Sequence, residues 1–263
     1  MRAALRGAAL ALALALGGSG CGETAGRPIA VPAAARGAAE GGGPVVAFTN
    51  AQGWRVALTE AHALLGPIYF DEVAADAFGW LRRLLPVGTA HAHVLATGGT
   101  TLGEVLHQVP VDLLAADGVP LGDTAGQLGT CRRMEVQLLP LGAVALAPGA
   151  DVAPLRGHAL WAAGTAEKDG VTVRFAAGLD LPEDPALRRI TDIKVADVRF
   201  DDRLPGGPRV VVRVEDWFWQ ADFGTLPPAD EDGLTPIPAD SPVARGWLRA
   251  ATHAGTYDLE WTP

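Results

Sequence analysis

HALWAAGTAEKDGVTVRFAAGLDL, residues 158–181, consists of two strand-like runs on either side of Lys168, Asp169 and Gly170. Those three residues favour a tight turn, so the stretch predicts a β-hairpin. Working outward, VVAFTNAQGWRVALT, residues 45–59, repeats the design. A turn at 50–53 is followed by Trp54, Val56 and Leu58 on one face of a strand. Short apolar runs at 91–97, 135–147, 190–200, 209–214 and 255–261 are punctuated by Gly, Pro, Asn and Asp and read as further strands. The series predicts a mainly β chain, an antiparallel β-sandwich with a few short helices.

Three helical pieces are expected among the strands. Residues 74–85 place Phe78, Leu81 and Leu85 at helical spacing and stop at Pro86. Thr101 and Glu104 have the form of a capping box, opening a turn or two that buries Leu102, Val105 and Leu106 before Pro110. Ser241 and Pro242 fit an N-cap and first helical position leading into VARGWLRAA.

The N-terminus carries a different signal. Arg2 and Arg6 precede an Ala/Leu run at residues 8–16, and small residues lead up to Cys21. Residues 1–20 read as a secretory signal peptide whose apolar run is too short to span a bilayer as a helix. Ser19 and Gly20 before Cys21 resemble the lipobox of bacterial lipoproteins, although Gly18 stands where an aliphatic residue is usual. That resemblance implies lipid on the Cys21 sulfur, leaving Cys131 as the one thiol, and an exported, membrane-anchored protein facing the periplasm or cell surface. No acidic residue directly follows Cys21, which by resemblance to enteric lipoprotein sorting implies the outer membrane. Residues 21–44, rich in Ala, Gly and Pro, read as a flexible tether, with one folded domain over 45–263.

With 263 residues and 49% hydrophobic composition, the chain has ample material for a core. Lys+Arg 21 against Asp+Glu 30 gives a net charge of -9, which repels nucleic acid. After Cys21 the single serine is Ser241, and neither Lys168 nor Lys194 follows a glycine, so neither a nucleophile elbow nor a phosphate-binding loop is present. Residues 227–240 read as an acidic surface loop and Cys131 as a partly buried, inert thiol. These features point to a binding protein rather than an enzyme.

His91-Ala92-His93 is the local histidine cluster. In an extended segment both imidazoles project from one face, a spacing that lets two nitrogens meet one copper or zinc ion; exposed strand residues are the plainer reading. A third donor is needed, and His107 is the candidate, placed on the polar side of the expected helix after Thr101. Such a site loosens as imidazole protonates near about pH 6.5. Trp217 and Trp219, if extended, also share a face, which would suit a glycan or protein partner; burial of at least one is the alternative.

Phe48-Thr49-Asn50-Ala51-Gln52-Gly53, the Trp217-Phe218 stretch running into Ala221-Asp222-Phe223, and a last strand closing in Trp261 loosely resemble secreted MbnP-like proteins. The resemblance implies a β-sandwich and a link to methanobactin and copper handling. Some copper-binding relatives use a modified Trp two residues before a ligand His; no Trp here precedes a His by two, so that site does not transfer. The chain is also similar to lipoproteins of soil-dwelling myxobacteria. The expectation is therefore an exported lipoprotein with a non-catalytic ligand-binding domain, its ligand copper or another transition metal, or else an adhesive module contacting a protein or glycan through the Trp-rich corner.

Overall fold

The structure is a computed structural model and describes residues 28–38, 47–72 and 100–263. Its strands are β1 (Pro28–Ala38), β2 (Phe48–Thr49), β3 (Arg55–Leu65), β4 (Ile68–Glu72), β5 (Thr100–Val105), β6 (Val109–Asp112), β7 (Val119–Gln127), β8 (Gly129–Gln137), β9 (Leu160–Lys168), β10 (Val171–Leu179), β11 (Arg189–Phe200), β12 (Gly207–Arg213) and β13 (Tyr257–Thr262). One sheet of eight runs β11-β8-β4-β5-β7-β1-β12-β13; the other runs β10-β9-β3-β2, with β6 paired to β3. The fold is mainly β, as expected, and sandwich-like. One α-helix is described, α1 (Pro242–Ala251).

The hairpin at 158–181 forms as read, with Val171 opposite Lys168 and Leu179 opposite Leu160. Asp169 and Gly170 both take positive φ, 50° and 80°, the backbone that a two-residue hairpin turn requires. In β3 the buried face changes register. Trp54, Val56 and Leu58 are buried, then Ala61, Ala63 and Leu65. A bulge between Leu58 and Glu60 inserts the extra residue that moves the apolar set from even to odd positions.

Two expectations are corrected. The tether assigned to residues 21–44 contains β1, an inner strand lying antiparallel to β7 and parallel to β12. Its Ile29, Val31, Ala33 and Ala35 alternate into the core. Pro28 and Pro32 fall where β1 pairs with β7, and pairing with β12 begins only at Ala34, so neither missing N–H interrupts the second ladder. The parallel β1–β12 pair also makes the sandwich mixed rather than purely antiparallel.

The helix expected after Thr101 is instead β5, paired with β4 and β7. Thr101 Oγ1 donates to Asp71 Oδ1 at 3.2 Å, so its hydroxyl serves the sheet and caps no helix. Leu102 and Val105 are buried while Leu106 is 54% exposed. The expected helix at 74–85 and strand at 91–97 lie outside the described residues.

β11 and β13, the two ends of the eight-strand path, lie side by side, and Phe200 meets Trp261 edge-on at 6.0 Å. β11 carries two register shifts against β8 and a positive φ of 58° at Asp192, which bends the edge it presents.

Candidate functional site

The chain leaves the sheet after β12 and returns in β13, its antiparallel neighbour. Between them come a 3-10 turn at Val214–Phe218, helix α1, and a 3-10 turn at Ala254–Thr256. These pieces border an open cleft of about 440 Å³ lined by residues that include Arg213, Asp216, Trp219, Gln220, Arg249 and His253.

Local sequence explains why the walls are firm. Ser241 accepts from the Ala244 N–H at 3.1 Å with Pro242 in the first turn, the expected N-cap. At the other end three hydroxyls take up carbonyls of the last turn: Thr252 donates to Leu248 O at 2.8 Å, Thr256 to Ala250 O at 2.7 Å and Tyr257 to Ala251 O at 2.6 Å. The carbonyls a helix terminus leaves unpaired are thereby satisfied. Trp247 holds the inner face of α1 against Trp217 and Phe218, with ring centroids 5.6 and 5.2 Å apart.

Gly246, in the middle of α1, lines the cleft. Among the described residues a Cβ built there would meet nothing within 4 Å, so neither their packing nor a close approach of their backbone calls for glycine. Glycine inside a helix costs roughly 0.5–1 kcal/mol relative to alanine. Its effect here is an open floor.

Arg213 braces the two turns. Its Nη2 donates to Gly255 O, and its Nε lies 3.6 Å from Asp216 Oδ2. His253 Nδ1 accepts from the Gly255 N–H at 3.1 Å, which places the proton of the neutral ring on Nε2. Arg249 is exposed on α1.

The wall bearing Trp219 is held from the second sheet by Asn50, which is 4% exposed. Its Nδ2 donates to Phe218 O at 3.0 Å and Ala221 O at 2.7 Å, while its Oδ1 accepts from the N–H groups of Gln52 at 3.0 Å and Trp54 at 2.9 Å. The Ala51 N–H donates to Trp219 O at 2.9 Å. Trp54 Nε1 donates to Asp222 Oδ1 at 3.1 Å, and its ring meets Phe223 edge-on at 5.8 Å. The separated stretches at 48–53 and 217–223 thus form one contact.

No protein-family model matches the chain, and no curated protein matches it. Among solved structures the chain is similar to MbnP from Methylosinus trichosporium, at 12% identity and a TM-score of 0.44, over 90% of this chain and 99% of that one. The likeness is a loose one and carries no argument about the site.

Of the residues singled out by sequence, Cys21, His91 and His93 lie outside the described residues. His107 is not on a helix. It follows β5, and a strand rise of about 3.3 Å per residue puts it roughly 20 Å from Thr100, where a helix would have kept it close. Its Nε2 donates to Leu121 O at 2.9 Å. Among the described residues no group of three or more His, Cys, Asp or Glu is arranged to hold a metal ion. Trp217 and Trp219 do not share a face: the 3-10 turn puts Trp217 in the core at 2% exposure and leaves Trp219 44% exposed. Cys131 is fully buried, and burial pushes its thiol pKa up to about 12, far from a reactive thiolate.

Arg213, Gln220, Gly246 and Arg249 escaped sequence reasoning, and nothing in the sequence ties Asp216 and His253 to them. Gly246 within VARGWLRAA was the available signal, a helix-weakening residue in an otherwise well-capped helix.

Proposed function

We propose that this chain is an exported, lipid-anchored binding protein whose sandwich domain holds a small anionic ligand in the cleft over Gly246. The observation that carries the binding reading is the glycine itself, which weakens the helix and leaves room that no side chain among the described residues fills. Arg213 and Arg249 give the cleft a cationic lining in a chain of net charge -9. A cleft of about 440 Å³ lies in the range that takes small molecules.

The test is a titration of Trp fluorescence with small carboxylates, phosphate and sulfate, comparing the native chain with Gly246→Ala and Gly246→Leu. Gly246→Ala is expected to raise the melting temperature by about 1–4 °C, because it restores helix propensity without a clash. Gly246→Leu is expected to fold and to weaken binding at least about tenfold, one full step in affinity arithmetic. Unchanged affinity in the leucine variant would remove the cleft from the function.

Anchoring rests on Cys21 and the small residues before it. Cys21→Ser is expected to move the protein from the membrane fraction to the soluble one; unchanged partition would rule out the lipid. Since β1 starts at Pro28, the six residues 22–27 span at most about 20 Å, and the domain would sit near the lipid surface.

Copper or zinc at His91 and His93 is a separate reading, supported by their spacing. Metal titration of the native chain against a His91→Ala, His93→Ala variant is expected to show loss of stoichiometric binding. Equal affinity in both would end that reading.

A further inference from the structure

We infer that the cleft takes an acidic sugar, a pyranose ring bearing one carboxylate. This rests on the cleft being the ligand site and adds the class of ligand.

Charge sets the first limit. The lining contains Arg213 and Arg249 against one carboxylate, Asp216, a net charge of one positive from these three side chains. A monoanion matches it, whereas a second negative charge would meet Asp216. The two guanidiniums are not equivalent. Arg213 is committed to Gly255 O and lies beside Asp216. Arg249 has no ion-pair partner among the described residues and projects from α1 one turn beyond Gly246. Its planar fork suits a carboxylate in a two-point contact.

Shape sets the second. Trp219 is the exposed aromatic residue of the lining, and its backbone is pinned by the Ala51 N–H at 2.9 Å. The C–H face of a pyranose is flat and apolar enough to lie on an indole, as is an aromatic ring.

Polar groups decide between those two. The lining that includes the indole also includes the Asp216 carboxylate, the Gln220 amide and the His253 ring, whose Nδ1 accepts from the Gly255 N–H and leaves Nε2 as the donor. Benzoate, a plain aromatic acid, has no hydroxyls and would strip water from the Gln220 amide and the His253 Nε2–H without replacing it. Ring hydroxyls both donate and accept, which suits an amide and an imidazole N–H alike. The missing side chain at Gly246 leaves space for a ring substituent over α1.

The experiment titrates the full chain in detergent micelles with galacturonate, glucuronate, a neutral oligosaccharide ending in a single glucuronate, glucose and benzoate, by Trp fluorescence and calorimetry. A uronate is expected to bind at least about tenfold more tightly than glucose or benzoate, with affinity falling as salt rises. Arg249→Gln and Trp219→Ala, both at exposed positions, are each expected to weaken it about tenfold or more. Tighter binding of the glucuronate-ended oligosaccharide than of free glucuronate assigns the site to a polysaccharide end; equal binding assigns it to the free sugar acid. Benzoate binding that Gly246→Leu abolishes, with no uronate binding, overturns the sugar and leaves the cleft a site for anions. Absence of any anion binding sensitive to Gly246→Leu overturns both.

Discussion

A chain begun at Val45 is expected to show no cooperative thermal transition by circular dichroism. Removing β1 takes an inner strand from the larger sheet, exposes the facing edges of β7 and β12, and deletes Ile29, Val31, Ala33 and Ala35 from the core. The full-length Ala35→Asp variant asks the same question with one side chain. Ala35 is fully buried, and an unpaired carboxylate there costs several kcal/mol against a typical domain stability of about 5–15 kcal/mol. A cooperative melt of the 45–263 chain within a few degrees of the full chain would show β1 to be dispensable.

The second large effect is expected at Asn50. Asn50→Ala leaves Phe218 O, Ala221 O and the N–H groups of Gln52 and Trp54 without their side-chain partner at one stroke. With about 1–3 kcal/mol for each buried group left unpaired, and some of the four reached by water, the loss is expected to be about 3–5 kcal/mol in urea denaturation. Asn50→Asp separates the two halves of the role. The carboxylate still accepts from Gln52 and Trp54 but opposes two carbonyl oxygens, so the variant is expected to be as unstable at neutral pH and to recover in part when acid protonates the new carboxyl. Because Asn50 and the neighbouring Ala51 N–H hold the wall bearing Trp219, the emission of that residue is expected to change in both variants. An alanine variant within about 1 kcal/mol of the native chain would contradict this account.

The contrast between these regions shows what was legible in the sequence. The hairpin of β9 and β10 was readable because Asp169-Gly170 allows one kind of turn and the flanking runs agree with it. Helix α1 was readable because Ser241 and Pro242 signal a start independently of what the helix packs on. β1 was hidden by its residues: PIAVPAAARGA has the alternation of a strand but little of the β-branched and aromatic content by which strands are recognised, and its pairing comes from partners far along the chain. β5 was hidden by a genuine ambiguity, since Thr-x-x-Glu before apolar residues suits a helix start, and pairing with β4 and β7 decided otherwise. The cleft was illegible for another reason. Its walls come from either side of a long excursion, and a glycine there acquires meaning only once the helix has been packed and no described side chain fills the space beside it.

The position of β1 also governs the order in which the molecule can be made. Its partners lie at Val119–Gln127 and Gly207–Arg213. At about 5–20 residues per second, roughly 10–35 s of synthesis separate the end of β1 from the end of β12. Throughout that interval Ile29 and Val31 sit in a nascent strand whose partners are incomplete, a template for pairing with other chains. Pro28 and Pro32 each remove a donor from that strand, and a proline-broken edge recruits a stranger poorly. The residues that disguise β1 as a linker thus act as gatekeepers for it, guarding the newborn chain until its own late strands arrive.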